Sequence, residues 1–142
     1  MSDINFDMDL TSGISAFEAK HFATAYNLLS PLAEQGNADA QFRLAIMYQN
    51  GLGMVRNDER AYHYMRAAAE QGHHLAQHGL GFMYMQGECV EQNGPEAIKW
   101  FKLAADQGLV GSQTTLGMMY EQGIGVEKDP EEAQRWYKLA GF

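Results

Sequence analysis

The chain has 142 residues and a formal net charge of −8, a length that fits about one domain. Its ten Lys and Arg residues are scattered along the sequence. Duplex nucleic acid and an anionic membrane surface both call for a basic patch, so neither is expected as a partner.

Cys89 is the only cysteine, which rules out an internal disulfide and a cysteine-based zinc site. The opening MSDINFDMDL has no positive region and no long apolar run, so it does not read as a signal peptide. No later stretch reaches the roughly 18 apolar residues of a membrane span. The expected location is cytoplasmic.

In chain order, residues 1–6 read as loose and a first helix is predicted over about 7–18. Leu10, Ile14 and Phe17 share one of its faces, and Gly13 allows a close helix contact. The next helix is predicted over 22–35, with Phe22, Ala25, Leu28, Leu29 and Leu32 inward and Pro31 disturbing its last turn. Further helices follow over about 38–50 and 58–71, 74–86 and 94–107, and 110–122 and 130–140. Asn57, Asn93 and Asp129 stand as N-caps of the second helix in each pair. Asn93 with Glu96, and Asp129 with Glu132, have capping-box spacing, and Pro130 suits a first helical position. Gly51, Gly87 and Gly123 close the first helices, and Gly36, Gly72 and Gly108 the second ones.

These pairs are copies of one another. NADAQFRLAIMYQNG from Asn37, HHLAQHGLGFMYMQG from His73 and LVGSQTTLGMMYEQG from Leu109 align at a spacing of 36 residues. Leu44, Leu80 and Leu116 share a column, as do Tyr48, Tyr84 and Tyr120. In the second helices Ala61, Ala97 and Ala133 align, then Tyr64, Trp100 and Trp136. A fixed period of this length marks a solenoid of stacked helix pairs. The repeats run over about 7–36, 37–72, 73–108 and 109–142. The first is short: Gly13 to Ala25 is 12 residues, where Gly81 to Ala97 is 16. Tyr84 is expected to seal the junction between the two helices of its repeat and the next repeat.

The repeated residues resemble the Sel1-like repeat family, a relative of the tetratricopeptide repeats. The family pattern A-x-x-x-L-G-x-x-Y-x-x-G-x-G-V is matched by SQTTLGMMYEQGIGVEKDPEEAQRWYKLA in the last repeat, with Ser112 in the Ala column, and is followed by AQFRLAIMYQNGLGMVRND and AQHGLGFMYMQGECVEQNG, which depart from it in the loop at Met54 and Cys89. The resemblance covers about residues 22–142. It implies an all-α, right-handed superhelical solenoid of four helix pairs. It also implies a protein-interaction module, an adaptor or scaffold of bacterial type, that binds a protein or peptide partner. Two alternatives follow from the family: a cognate, immunity-type inhibitor of a toxin or effector, and a β-lactam-binding or hydrolysing enzyme. The members linked to penicillin-type antibiotics carry paired cysteines in each repeat, and this chain has only Cys89.

With tetratricopeptide geometry, the first helix of each repeat lines a concave face. The columns left free there hold Phe17 in the first repeat, and Asp39, Phe42, Ile46 and Gln49 in the second. They hold His78, Phe82 and Met85 in the third, and Met118 and Glu121 in the fourth. These ten are the candidate partner-binding residues. Phe17, Phe42, Ile46, Phe82, Met85 and Met118 form an apolar strip suited to a docked peptide or helix.

No catalytic residue, cofactor site or metal site is expected. His74 and His78 have ligand spacing on a helix, but no pattern supplies further ligands. Motifs such as G-x-S-x-G, S-x-x-K and H-E-x-x-H are absent. Ser112 reads as small filler in the Ala column. Glu88, Glu91 and Glu96, and Glu127, Asp129, Glu131 and Glu132 one repeat later, read as a solvated acidic rim. Trp136, Tyr137 and Phe142 suggest self-association through the C-terminal end.

Overall fold

The computed structural model describes residues 3–142. They form eight α-helices: α1 Asp3–Glu18, α2 Phe22–Glu34, α3 Ala38–Asn50, α4 Asp58–Glu70, α5 His74–Gln86, α6 Gly94–Asp106, α7 Val110–Gln122 and α8 Pro130–Leu139. Consecutive helices pair as four hairpins, the arrangement of an all-α solenoid. The chain divides into two compact halves, one ending at Gln71 and the other running from Gly72 to Phe142. In the first half α2 packs on α1 and α3, and α3 on α4. In the second half α6 packs on α5 and α7, and α7 on α8.

The helices start and stop for local reasons. Asn37 Oδ1 accepts the Ala40 N–H at 2.8 Å, and Asn57, Asn93 and Asp129 cap α4, α6 and α8 in the same way. His73 caps α5 with its ring, Nδ1 accepting from Ala76 N at 3.2 Å, a role that sequence reasoning missed. The capping boxes are only half made. The backbone N–H groups of Asn93 and Asp129, which a box would return to Glu96 and Glu132, already donate to the carbonyls of Tyr84 and Tyr120. The two glutamates turn instead to Lys99 and Arg135.

Two boundaries differ from expectation. The helix α1 begins at Asp3, four residues before the expected start. Met1 and Ser2, also read as loose, lie outside the described residues. The turn after α1 spans residues 19–21, where the later hairpins use seven residues, so the missing four belong to this loop. Lys20 closes the turn at φ 64° with no glycine to signal it. The helix α2 runs through Pro31 to Glu34, and the ring leaves the Asn27 carbonyl without its usual helical donor.

The repeat columns are the core. Leu29, Leu44 and Met47 are fully enclosed in the first half, and Leu80, Met83, Phe101, Leu116 and Met119 in the second. Tyr84 is buried as expected. The small column is matched to its neighbour: a Cβ on Gly81 would meet the Phe101 ring at 2.8 Å, and one on Gly117 the Tyr137 ring at 2.6 Å. At the same register the second hairpin carries Ala45 and a flexible Met65.

A polar column runs through this packing. Gln41, Gln77 and Gln113 are all more than nine-tenths buried. Gln41 Nε2 donates to the Ala33 carbonyl at 3.1 Å, and its Oε1 accepts from Gln71 Nε2 at 2.7 Å. Gln107 Nε2 donates to Gln77 Oε1 at the same 2.7 Å. Gln113 Nε2 donates to the Ala105 carbonyl at 3.1 Å, but its Oε1 meets no donor among the described residues. Each amide ties its helix to the end of a second-helix neighbour, and burial without those bonds would cost about 1–3 kcal/mol per group.

Candidate polypeptide-binding surfaces

The ten candidate residues sit on α1, α3, α5 and α7, the first helix of each hairpin. The columns the core does not consume are half-buried: Phe42 and Ile46 on α3, His78, Phe82 and Met85 on α5, and Met118 on α7. Helical spacing explains this. Ile46, Phe82 and Met118 lie two positions past the enclosed Leu44, Leu80 and Leu116, about 200° around the helix from them.

In the first half, Phe17 is half-buried with its ring edge-on to Phe22 at 5.8 Å. The Arg43 guanidinium stands 6.0 Å over Phe17, which links α3 to α1. Arg43 also reaches the exposed Asp39 carboxylate at 3.7 Å. Gln49 is half-buried one turn beyond Ile46.

In the second half, His78 is the centre of a cluster. Its Nδ1 lies 2.7 Å from Ser112 Oγ, so a side-chain hydrogen bond joins α5 to α7. Its ring meets Phe82 at 4.9 Å and Phe101 at 5.4 Å, both edge-on, and Phe82 stands edge-on to Phe101 at 5.2 Å. Burial among these rings holds the imidazole below the usual histidine range, which favours its neutral form. Ser112 is therefore more than filler: it is the fully buried partner of this imidazole. Glu121 is exposed, and its Oε1 accepts a hydrogen bond from the Tyr137 hydroxyl at 3.1 Å. Partial burial, and then that carboxylate, push the Tyr137 hydroxyl up from its ordinary range.

Sequence reasoning passed over a second polar cluster. Tyr48 O–H and Tyr26 O–H meet at 3.5 Å, and Arg60 Nη1 donates to Tyr48 Oη at 3.5 Å. The hydrogen bond from Tyr48 draws the Tyr26 hydroxyl down, while burial pushes Tyr48 up. The signal was Arg60 itself, which stands where the next two repeats have Glu96 and Glu132. Of the expected sticky C-terminal aromatics, Trp136 is buried in the repeat core and belongs to the packing; Tyr137 is half-buried and Phe142 exposed.

Among the described residues, no group of three His, Cys, Asp or Glu is placed to hold a metal ion. His74 is exposed, while His78 is turned to Ser112. No described helix is long and apolar enough to cross a membrane.

The Sel1 repeat pattern matches residues 38–73, 74–109 and 111–141, which are three of the four hairpins. The chain belongs to the Sel1 repeat family. A Sel1 repeat protein from Oxalobacter formigenes is similar in structure, with a TM-score of 0.86 and 35% identity over 93% of this chain. The protective antigen c5321 of uropathogenic Escherichia coli is also similar, with a TM-score of 0.78 and 40% identity over 80% of this chain. This Sel1 chain covers 53% of the first protein and 24% of the second. No curated protein matches it. Sel1 repeats, like tetratricopeptide repeats, are as a class protein–protein interaction modules.

Proposed function

We propose that this chain is an adaptor that binds a polypeptide partner through the half-buried side chains of its first helices. Phe42 and Ile46 anchor the partner on the first half, and Phe82 and Met118 on the second. The observation that supports this is one of register. One column holds a large apolar side chain in three successive hairpins, as Ile46, Phe82 and Met118, with Phe42 one turn before Ile46, and all four remain partly open while the Leu, Met and Tyr columns beside them are enclosed. Partly open apolar side chains flanked by Asp39, Gln49 and Glu121 have the make-up of an interface core with a polar rim.

The test uses a partner isolated with the wild-type chain and then titrated against variants. Phe42→Ala and Phe82→Ala should each weaken binding by about 2 kcal/mol, roughly thirtyfold, while the helical circular dichroism is kept. Unchanged affinity in both variants would place the partner elsewhere.

A further inference from the structure

The hydrogen bond between His78 and Ser112 has a direction that its surroundings fix. Ser112 is fully buried, and its Oγ has His78 Nδ1, at 2.7 Å, as its one hydrogen-bond partner among the described residues. Thr114 and Thr115 on the same helix donate their hydroxyl protons to the carbonyls of Val110 and Gly111, four residues back. Ser112 makes no such bond among the described residues. Were the imidazole to donate from Nδ1, the Ser112 hydroxyl proton would be buried without an acceptor, at a cost of about 1–3 kcal/mol. The hydroxyl therefore donates to Nδ1. Burial favours the neutral ring, so its single N–H sits on Nε2.

That N–H has no acceptor among the described residues. It lies on the edge of the ring turned to Gly111, an exposed residue of α7. A Cβ on Gly111 would stand 3.6 Å from His78 Cε1 and 3.8 Å from Nε2. These are ordinary contact distances, so packing does not demand a glycine here, and neither does a left-handed φ. Glycine in a helix costs up to about 1 kcal/mol relative to alanine. The preceding repeats carry Asp39 and Leu75 at this position. Gly111 leaves the Nε2 edge of His78 open, where a side chain such as leucine would lie across it.

The chemistry of the donor describes what meets it. Neither α5 nor α7 contains a Lys or Arg, so an anionic oxygen would find no counter-charge on these helices, whereas a neutral carbonyl needs none. Phe82 stands edge-on to the imidazole at 4.9 Å, and a hydrogen bond made in such apolar surroundings is stronger than one made in water. We propose that His78 is a specificity-determining residue of the docking proposed for the first helices, on which this assignment rests: its Nε2–H donates to an amide carbonyl oxygen of the bound polypeptide, admitted past Gly111.

The full chain without a partner gives the first reading. Long-range proton–nitrogen correlation spectra of the imidazole should show the Nε2–H tautomer at His78, and the Nδ1–H tautomer would overturn the proposal. Binding is then read with peptides selected on the wild-type chain from a random phage-displayed library and kept if Phe82→Ala weakens them. The double variant His78→Phe/Ser112→Ala keeps a ring against Phe82 and leaves no hydroxyl stranded. It should weaken these peptides about tenfold, the loss of one hydrogen bond. Gly111→Leu copies the preceding repeat and should weaken them at least as much by covering Nε2. Circular dichroism verifies that the variants stay folded. Peptides that need Phe82 but bind either folded variant like the wild type would leave the docking reading intact and overturn this one. A library that yields no Phe82-dependent peptide would defeat docking on the second half, and the role of His78 with it. Alanine in place of each Asn or Gln of a selected peptide separates the two sources of an amide carbonyl: loss of the His78 effect assigns it to that side chain, and persistence throughout assigns it to the main chain.

Discussion

Replacing Gly81 by alanine places a methyl group against the Phe101 ring, with its carbon 2.8, 2.9 and 3.0 Å from Cε1, Cδ1 and Cγ. Phe101 is fully buried, so the ring cannot swing aside without displacing its neighbours. Overpacking of this kind costs about 1–3 kcal/mol. Alanine gains about 1 kcal/mol over glycine inside a helix. The net expectation is a loss of about 1 kcal/mol, small enough to be ambiguous alone. The second hairpin supplies the decisive comparison, because it carries Ala45 and Met65 at the same two positions. Phe101→Met should therefore cost stability by itself but much less when Gly81 is already alanine. A double-mutant cycle in urea, followed by helical circular dichroism, should give a coupling of about 1–2 kcal/mol in favour of the Ala–Met pair. Effects that add within about 0.5 kcal/mol would mean that the ring and the glycine are not matched.

Two further outcomes are expected. Gly125 sits at φ 67°, and a Cβ there would lie 2.6 Å from Gly94 Cα, so Gly125→Ala should lower stability by about 2 kcal/mol or more in chemical denaturation. Cys89, at φ 65° in the same loop position of the preceding repeat, provides the control: Cys89→Gly should be neutral or stabilising by under about 1 kcal/mol. Burial lowers the folded-state pKa of His78 below the ordinary 6.5, so the unfolded chain takes up the proton first as pH falls. The contribution of His78 is then fully present above pH 6.5 and is lost as pH falls through the lowered value. Denaturation midpoints of the wild type and His78→Gln should accordingly converge on acidification, and a constant difference would show that the imidazole titrates normally.

The repeat made the helices and the enclosed columns legible, since Leu44, Leu80 and Leu116 answer one packing requirement three times. It hid the polar column just as effectively. Gln41, Gln77 and Gln113 recur at the same period, yet glutamine beside an enclosed face reads as solvent-facing until its partners at Ala33, Gln71, Ala105 and Gln107 are seen. Those partners are 8 or 30 residues away, beyond any local pattern. His73 as a cap was hidden for a related reason: a ring nitrogen took the place that Asn37 fills with an amide oxygen. The His78–Ser112 bond links adjacent repeats, and a column-by-column reading treats each position as equivalent across copies, so a bond between unlike columns escapes it.

Repetition also separates the enclosed positions of this chain from the half-buried ones. A position that must seat against a neighbouring helix has little freedom, and Leu44, Met47 and Tyr48 recur unchanged 36 and 72 residues later. The half-buried positions between them do not: Phe42 becomes His78 and then Thr114, Ile46 becomes Phe82 and then Met118, and Gln49 becomes Met85 and then Glu121. The backbone around them is the same, so no packing rule of the repeat dictates these changes. Two have a local cause, because His78 reaches Ser112 and Glu121 receives the Tyr137 hydroxyl. Ile46 and Met118 are apolar, and solvent alone would favour polar side chains in their place. Large apolar groups held partly open at that register are what the proposed docking uses, and because Phe82 also packs edge-on against Phe101, the Phe82 variant separates binding from packing only beside a denaturation measurement.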